Sequence, residues 1–210
     1  MVKKGFPTFG ISQAGAHVTT LKNYNLPDFI LEMVVKECGS DLLGKGRIID
    51  RLQSMNDNAL NMLYDIFVEC KSDPEGRFAQ YRFYAYVSSM FHKCEILVDE
   101  TVPGLSGRNH QLQVAVKQHG MYAAVAVNKT KGSPVNKRDT AKFYDVVCDI
   151  KDGEHGTQLS EAIYGSSVGF RNDALAELTK LNSTRSKDPE NVVVFKTANF
   201  ENSIYTVTKC

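Results

Sequence analysis

The residues best suited to chemistry on charged groups lie between positions 101 and 150. That stretch holds seven basic side chains and only three acidic ones, in a chain whose net charge is +1. Lysine and arginine bind phosphate oxygens, and such binding weakens with salt and depends little on base sequence. The acidic residues are Asp139, Asp145 and Asp149, and the basic ones are Arg108, Lys117, Lys129, Lys131, Lys137, Arg138 and Lys142.

Several of these basic residues surround the loop 130–133 and the start of a predicted helix. The first backbone amides of a helix favour anions, so the loop and the helix together predict a phosphate contact. The alternative interpretation is an ordinary solvated helix face. Because the whole chain is nearly neutral, any affinity for nucleic acid must come from this local surface.

Signatures of other chemistry are missing from the sequence. It has no serine-centred elbow, no P-loop and no dinucleotide-binding glycine pattern. The histidines lack the spacing of metal ligands, so we expect no zinc site and no resident cofactor. The five cysteines are odd in number and form no CxxC pair, which favours reduced thiols.

Composition is that of a soluble globular protein. Apolar residues make up 42% of the chain and charged residues 23%. No apolar run approaches the roughly 20 residues that cross a bilayer, and the N-terminus does not read as a secretory signal. We therefore expect a cytoplasmic protein with no membrane contact.

The first third of the chain predicts a small helical module. Residues 1–24 show no sustained period and are expected to form an arm. Helices are predicted from Pro27 and Asp28 to Gly39, over 46–55, and from Asn56 onward. Packing or dimerisation is the favoured role of this module, with DNA contact in the manner of a helix-turn-helix as the alternative. The polar segment 71–76 predicts a boundary between domains at 1–73 and 76–210.

After that boundary, helical and strand periodicities alternate. A helix is predicted over 78–91, then strands over 94–98, 110–117 and 121–127. A helix of about fifteen residues, a strand over 162–168, a helix from 172 and strands over 191–195 and 204–207 follow. Because 121–127 is almost continuously apolar, it should be a central strand covered on both faces. This order predicts an α/β fold with a central mixed β-sheet flanked by helices.

The order of elements resembles the PD-(D/E)xK restriction-endonuclease superfamily, in particular its Mrr-type branch. The resemblance rests on His110-Gln111-Leu112-Gln113-Val114, on 124–129 (AVAVNK), and on the strand-Gly-helix segment 166–170 that leads into Asp173. It covers roughly residues 76 to 200 and implies a restriction-endonuclease-like fold. It also implies action on DNA, with a homodimer as a frequent assembly.

The residues that carry catalysis in that superfamily are replaced here. The family's metal-binding Asp corresponds to Gln113, its Glu to Ala126 and its Lys to Asn128. Hydrolysis of a phosphodiester in this way needs a divalent metal, and Mg²⁺ needs carboxylate oxygens. The resemblance therefore predicts a degenerate endonuclease, a pseudoenzyme that binds nucleic acid, DNA in particular, without cleaving it.

Two alternatives stay open. A relocated site could use Asp99, Glu100 and Lys129, in which case the chain would be an active Mg²⁺-dependent endonuclease. A structural subunit that uses the cleft for protein contacts is the other. On the favoured interpretation, the residues that bind nucleic acid are Arg108, His110, Lys117, Lys129, Lys131, Lys137, Arg138 and Lys142.

Overall fold

The computed structural model describes residues 11–24, 26–38, 48–72, 74–185 and 192–200. Contacts divide the chain into two compact units, which meet in sequence at Phe78 and Ala79. This division lies a few residues beyond the predicted boundary segment 71–76, inside a helix rather than in a loop. Within the described ranges, every helix is too short or too polar to traverse a lipid bilayer.

The first unit is helical, as predicted. Its elements are α1 (Ile11–Leu21), α2 (Asp28–Cys38), α3 (Ile48–Ser54) and α4 (Asp57–Ser72). Leucine and isoleucine side chains at helical spacing are fully buried here, Ile30, Leu52 and Leu63 among them. Residues 1–10 of the predicted arm lie outside the described residues.

The prediction of an arm over residues 1–24 is wrong for 11–21, which form α1. The helix includes Gly15, Val18, Thr19 and Thr20, which are weak helix formers, so intrinsic propensity did not indicate a helix here. Thr19 and Thr20 satisfy their hydroxyl groups by donating to backbone carbonyls one turn earlier, at 3.0 Å each. Packing holds the helix in place, since Leu21 is fully buried and His17 stacks on Tyr64 with ring centroids 4.0 Å apart.

The α/β elements confirm the predicted fold class. A five-stranded mixed sheet has the order β1-β2-β3-β4-β5, with antiparallel pairing from β1 to β3 and parallel pairing from β3 to β5. The predicted strand over 204–207 lies outside the described residues. The elements are α5 (Pro74–Met90), β1 (Glu95–Pro103), β2 (Asn109–Gln118), β3 (Met121–Lys129), α6 (Lys137–Lys151), β4 (Glu161–Ser166), α7 (Asn172–Arg185) and β5 (Val194–Asn199).

Strand β3 is covered on both faces, which explains its continuous apolar run. On one face Ala124 and Ala126 pack in a buried cluster with Phe83 of α5. On the other face Val125 belongs to a second cluster with Phe143 of α6. Alternate residues of a strand point to opposite faces, so each cluster takes every second side chain.

Gly165 of β4 lies under Phe83. A Cβ atom added at Gly165 would lie 2.6 Å from Cε2 of Phe83 and 2.9 Å from Oδ1 of Asn128. The buried Phe83 ring therefore reaches the sheet only because position 165 has no side chain.

We predict that Gly165→Ala lowers the free energy of unfolding by about 1–3 kcal/mol, because the added methyl group overpacks the core. Gly15→Ala is the matched control. Nothing lies within 4 Å of a Cβ at Gly15, which is in α1. There the same change should stabilise by roughly 0.5–1 kcal/mol, because alanine is the better helix former. Urea unfolding followed by circular dichroism measures both, and equal effects would contradict the close approach of Phe83.

Candidate functional site

The sheet forks between β2 and β3. These strands pair from Gln118 and Met121 at the turn as far as Val114 and Ala126. Beyond that pair, β2 keeps its pairing with β1 and β3 keeps its pairing with β4. At the fork, the side-chain oxygen Oε1 of Gln113 accepts the backbone N–H of Asn128 at 3.2 Å. An amide side chain thus takes over a bond of the kind that a backbone carbonyl makes in a continuous ladder.

The fork opens into a cleft of about 450 Å³. Residues 109–113 of β2 and 127–129 of β3 line it, and α6 forms the facing wall. Helix α6 begins with a capping box: the side chain of Asn136 accepts from the amides of Arg138 and Asp139, and the Asp139 side chain accepts from the Asn136 amide. The cap sets where α6 starts and so which of its residues face the fork.

One stripe of α6 faces the fork. Asp139, Lys142 and Val146 line the cleft, and Asp149 contacts His110, another lining residue. Spacings of three and four residues place these four side chains on one side of a helix. The adjacent side of α6 buries Val147 and Ile150 in the core, and that packing fixes the orientation of the stripe.

An ion pair occupies the end of the cleft near the start of α6. Nζ of Lys129 lies 2.8 Å from Oδ2 of Asp139, and the two side chains are 24% and 23% exposed. The hydrogen bond from Lys129, helped by the Asn136 amide and by the charge of Lys142, lowers the pKa of Asp139. Burial, helped by the charge of Asp139, raises the pKa of Tyr164, another lining residue, to about 12. Asp139 is therefore ionised and Tyr164 protonated at neutral pH.

A second cluster lies at the other end of α6. Nε2 of His110 is 2.7 Å from Oδ2 of Asp149, which also accepts from the Ser106 hydroxyl at 2.7 Å. Oδ1 of Asp149 accepts the Ser106 amide at 2.8 Å. These hydrogen bonds, that of the Ser106 hydroxyl first and then that of His110, lower the pKa of Asp149 to about 2. Gly104 is required here, because a Cβ at that position would collide with the Asp149 carboxyl group.

The positions mapped to the family's metal site fall on both faces of the sheet. Gln113 lines the cleft, whereas Ala126 is fully buried in the cluster with Phe83 on the opposite face. Asn128 is 7% exposed and its Nδ2 donates to the carbonyl of Ala79, in α5, at 3.3 Å. The side chains of β3 that share the cleft face are those of Val127 and Lys129, one residue further along than the mapped pair.

The alternative carboxylates lie elsewhere in the sheet. Asp99 and Glu100 belong to β1 and are not among the residues that line the cleft. Asp99 is exposed and has a positive φ of 51°, and Glu100 lies 3.5 Å from Nζ of Lys117 and 3.3 Å from the Tyr122 hydroxyl. Lys129, the third member of that alternative, is paired with Asp139 instead.

The predicted basic residues are distributed between paired and exposed positions. Lys117 contacts Glu100 and lies over the Tyr122 ring, and Lys137 lies 3.2 Å from Glu177 of α7. Arg138 and Lys142 are exposed on α6 and form no ion pair within the described ranges. Arg108 and Lys131 are exposed on loops. The amides of Arg138 and Asp139 are already bonded to Asn136, so the basic side chains, rather than these amides, offer contacts to an anion.

Asp139 and Asp149 have structural roles that the sequence did not predict. From the sequence alone, both are simply acids that reduce the local excess of basic residues. The signal for Asp139 was the Asn-x-x-Asp spacing at 136–139, which is typical of a helix start. Within the part of the chain that the structure describes, no three His, Cys, Asp or Glu side chains are grouped as a metal site would require.

Comparisons with known proteins do not identify a family for this chain. No protein-family model matches the chain, and no curated protein matches it. Among solved structures, a crystal structure of a protein of unknown function, AF1548, aligns with 14% sequence identity and a TM-score of 0.39. The alignment covers 55% of this chain and 55% of that one, so the chain spans about half of that protein's length. A likeness of this size supports no conclusion about fold or function.

The two faces of β3 predict losses of stability of different size for one substitution at neighbouring positions. Ala126→Glu buries a charge without a partner and should lower the free energy of unfolding by about 3–5 kcal/mol. Val127→Glu places the carboxylate in the cleft that contains Lys129 and Lys142, and should cost only about 1 kcal/mol. Urea unfolding of both variants measures the difference. A larger loss for Val127→Glu would mean that the cleft lies on the other face of β3.

The Asp149 cluster predicts a pH-dependent contribution to stability. The folded-state pKa of Asp149, about 2, lies below the value near 3.9 of an aspartate in the unfolded chain. The unfolded chain therefore binds more protons, so the stabilisation is present above about pH 4 and is lost as the pH falls towards about 2. We expect the difference in free energy of unfolding between the natural chain and Asp149→Asn to shrink over that interval, measured by urea unfolding at each pH.

Asp145→Asn is the control for that experiment, because Asp145 is an exposed carboxylate on the same helix. Its difference from the natural chain should stay small at every pH. The same pH profile for both variants would show that the cluster with Ser106 and His110 does not stabilise the fold.

Proposed function

We propose that this chain binds nucleic acid, with DNA favoured, and does not cleave it. The observation that carries the proposal is the charge of the cleft. Lys129 and Lys142 line it, whereas Asp139, the one carboxylate among the described lining residues, is held by Lys129 and by the cap of α6. Arg138 lies four residues before Lys142 and extends the basic surface along the same side of the helix.

The absence of cleavage in this proposal follows from the chemistry of the cleft face. A metal-dependent nuclease needs carboxylate oxygens that converge on the ion, which then activates water and stabilises the leaving oxygen. On the cleft face of β2 and β3, the side chains at the fork are those of Gln113, Val127 and Lys129. A carboxamide, an isopropyl group and an ammonium group supply none of the negative charge that a divalent cation needs.

The preference for DNA, and a homodimeric assembly, come from the family resemblance. The observed order of one helix, three antiparallel strands, a helix and a parallel strand is the order on which that resemblance rests. This order of elements supports the proposal. The basic side chains predict binding that is sensitive to salt and tolerant of sequence.

Charge reversal on α6 tests the proposal. We predict that Lys142→Glu and Arg138→Glu each weaken binding to a fluorescein-labelled 20-mer on the order of tenfold at low salt, and that each lowers the slope of log affinity against log salt by about 1. Fluorescence anisotropy at several salt concentrations measures both quantities. The matched control is Lys22→Glu, an identical charge change at an exposed residue of the helical unit.

Three results would contradict the proposal. Equal weakening by Lys22→Glu would mean that net charge, or the helical unit, governs binding rather than the cleft. Nicking of supercoiled plasmid in Mg²⁺ or Mn²⁺ that is abolished by Glu100→Ala would instead establish the active-nuclease alternative. Absence of both binding and nicking would leave a structural subunit.

A further inference from the structure

The cleft is a groove between α6 and β2. Its lining residues on α6 extend from Asp139 to Val146, a distance of about 10 Å at the rise of an α-helix. Strand β2 runs along the other side from Gln113 to Asn109. The pairs Lys129–Asp139 and His110–Asp149 occupy the two ends. Lys142 lies between the ends, exposed and without an ion pair in the described part of the chain.

The lining of the groove combines two kinds of surface. A phosphate group would use the cation of Lys142, but phosphate contacts give no reason for an apolar wall. The volume of about 450 Å³ falls within the range of sites that take small organic molecules. The apolar part of the lining consists of Leu112, Val127, Phe143, Val146 and Tyr164.

Two hydrogen-bonding groups also remain available in the lining. Oε1 of Gln113 accepts the Asn128 amide, which leaves the Nε2 donors of Gln113 without a partner among the described residues. At the other end, Nε2 of His110 bonds the Asp149 carboxylate, and Nδ1 of His110 has no hydrogen-bond partner among the described residues. Two hydrogen-bonding side chains that flank an apolar wall match the polar edges of a nucleobase.

An intact duplex cannot use these features. It presents phosphates on its outer surface and keeps the faces of its bases stacked inside, so only a few basic side chains of the groove would contact it. An unpaired nucleotide presents its phosphate, its base face and its base edge together. The cation, the apolar wall and the free amide can then bind the same ligand.

We infer that the groove holds one unpaired nucleotide of a single strand, and that the chain therefore binds single-stranded nucleic acid more tightly than duplex. This inference rests on the proposed function, because it specifies the form of nucleic acid that the same cleft binds. Binding of this kind adds base contacts to the salt-dependent phosphate contacts.

The test compares fluorescein-labelled dT20 with a blunt 20-base-pair duplex by fluorescence anisotropy, using the full chain. We expect dT20 to bind at least about tenfold more tightly than the duplex. Val146→Trp, which fills the groove with an indole, should weaken dT20 binding about tenfold and leave duplex binding unchanged. Leu105→Trp, an apolar loop residue that is 68% exposed and does not line the groove, is the matched control and should change neither.

A second measurement does not depend on that variant folding. Thymidine 5′-monophosphate at millimolar concentration should displace dT20 from the natural chain. Circular dichroism and a thermal melt check that Val146→Trp is folded. If Val146→Trp is unfolded, the competition experiment alone tests the inference.

The results separate this inference from the proposed function. Equal affinities for dT20 and duplex, with both weakened by Lys142→Glu, would overturn the inference and leave the proposed function standing. No displacement by the mononucleotide, or equal weakening of both ligands by Val146→Trp, would also overturn it. Failure of both ligands to bind would overturn the inference and the proposed function together.

Discussion

The parting of β2 and β3 is the constraint on which the rest of this structure depends. Each strand has a second neighbour that it must follow: β2 pairs with β1 as far as Asn109, and β3 pairs with β4 as far as Lys129. The two strands follow those neighbours and separate from each other beyond Val114 and Ala126. The side chain of Gln113 satisfies the Asn128 amide where they separate, so the fork does not leave that donor unbonded. An unsatisfied buried amide would cost about 1–3 kcal/mol.

The carboxylates around this fork already make hydrogen bonds and ion pairs that stabilise the fold. Asp139 accepts from the Asn136 amide and from Lys129, and Asp149 holds Ser106 and His110. Withdrawing Asp139 to serve another ligand would remove part of the α6 cap, a loss of about 1 kcal/mol, and would leave Lys129 without its counter-charge. The acids that a count of charges would offer for catalysis therefore already stabilise the walls of the cleft. The cation that stays available is Lys142, which no acid within 4 Å neutralises in the described ranges.

Much of the fold could be predicted from the sequence, because its signals are local. The continuous apolar run of β3 predicted a doubly covered strand, and Asn172 at the start of α7 predicted a helix there. Helix α1 was missed because its stability comes from packing of Leu21 and His17 against the unit, which no local pattern reveals. Tertiary contacts routinely override weak propensity in this way.

Less of the candidate site than of the fold could be predicted from the sequence, and the reason is geometric. Side chains of a strand alternate between faces, so an alignment shifted by one residue moves a whole motif to the opposite face. That is the relation between Ala126, which packs under α5, and Val127, which lines the cleft. Within β3 both faces are apolar, so hydrophobicity offers no signal to choose between them. The choice depends on α6, whose capped start at Asn136 orients its stripe across from the fork.

The charge of the cleft also bears on how a nucleic acid would approach it. A site that relies on a divalent metal must gather carboxylates, and until the ion is bound those carboxylates repel the phosphate backbone. In this chain Lys129 and Lys142 are covalently part of the cleft, so the attraction is present without an added ion. Under the proposed function, Gln113 and Val127 do more than leave the cleft face without ligands for a divalent metal. They also leave it without negative charge that would oppose the binding of a strand.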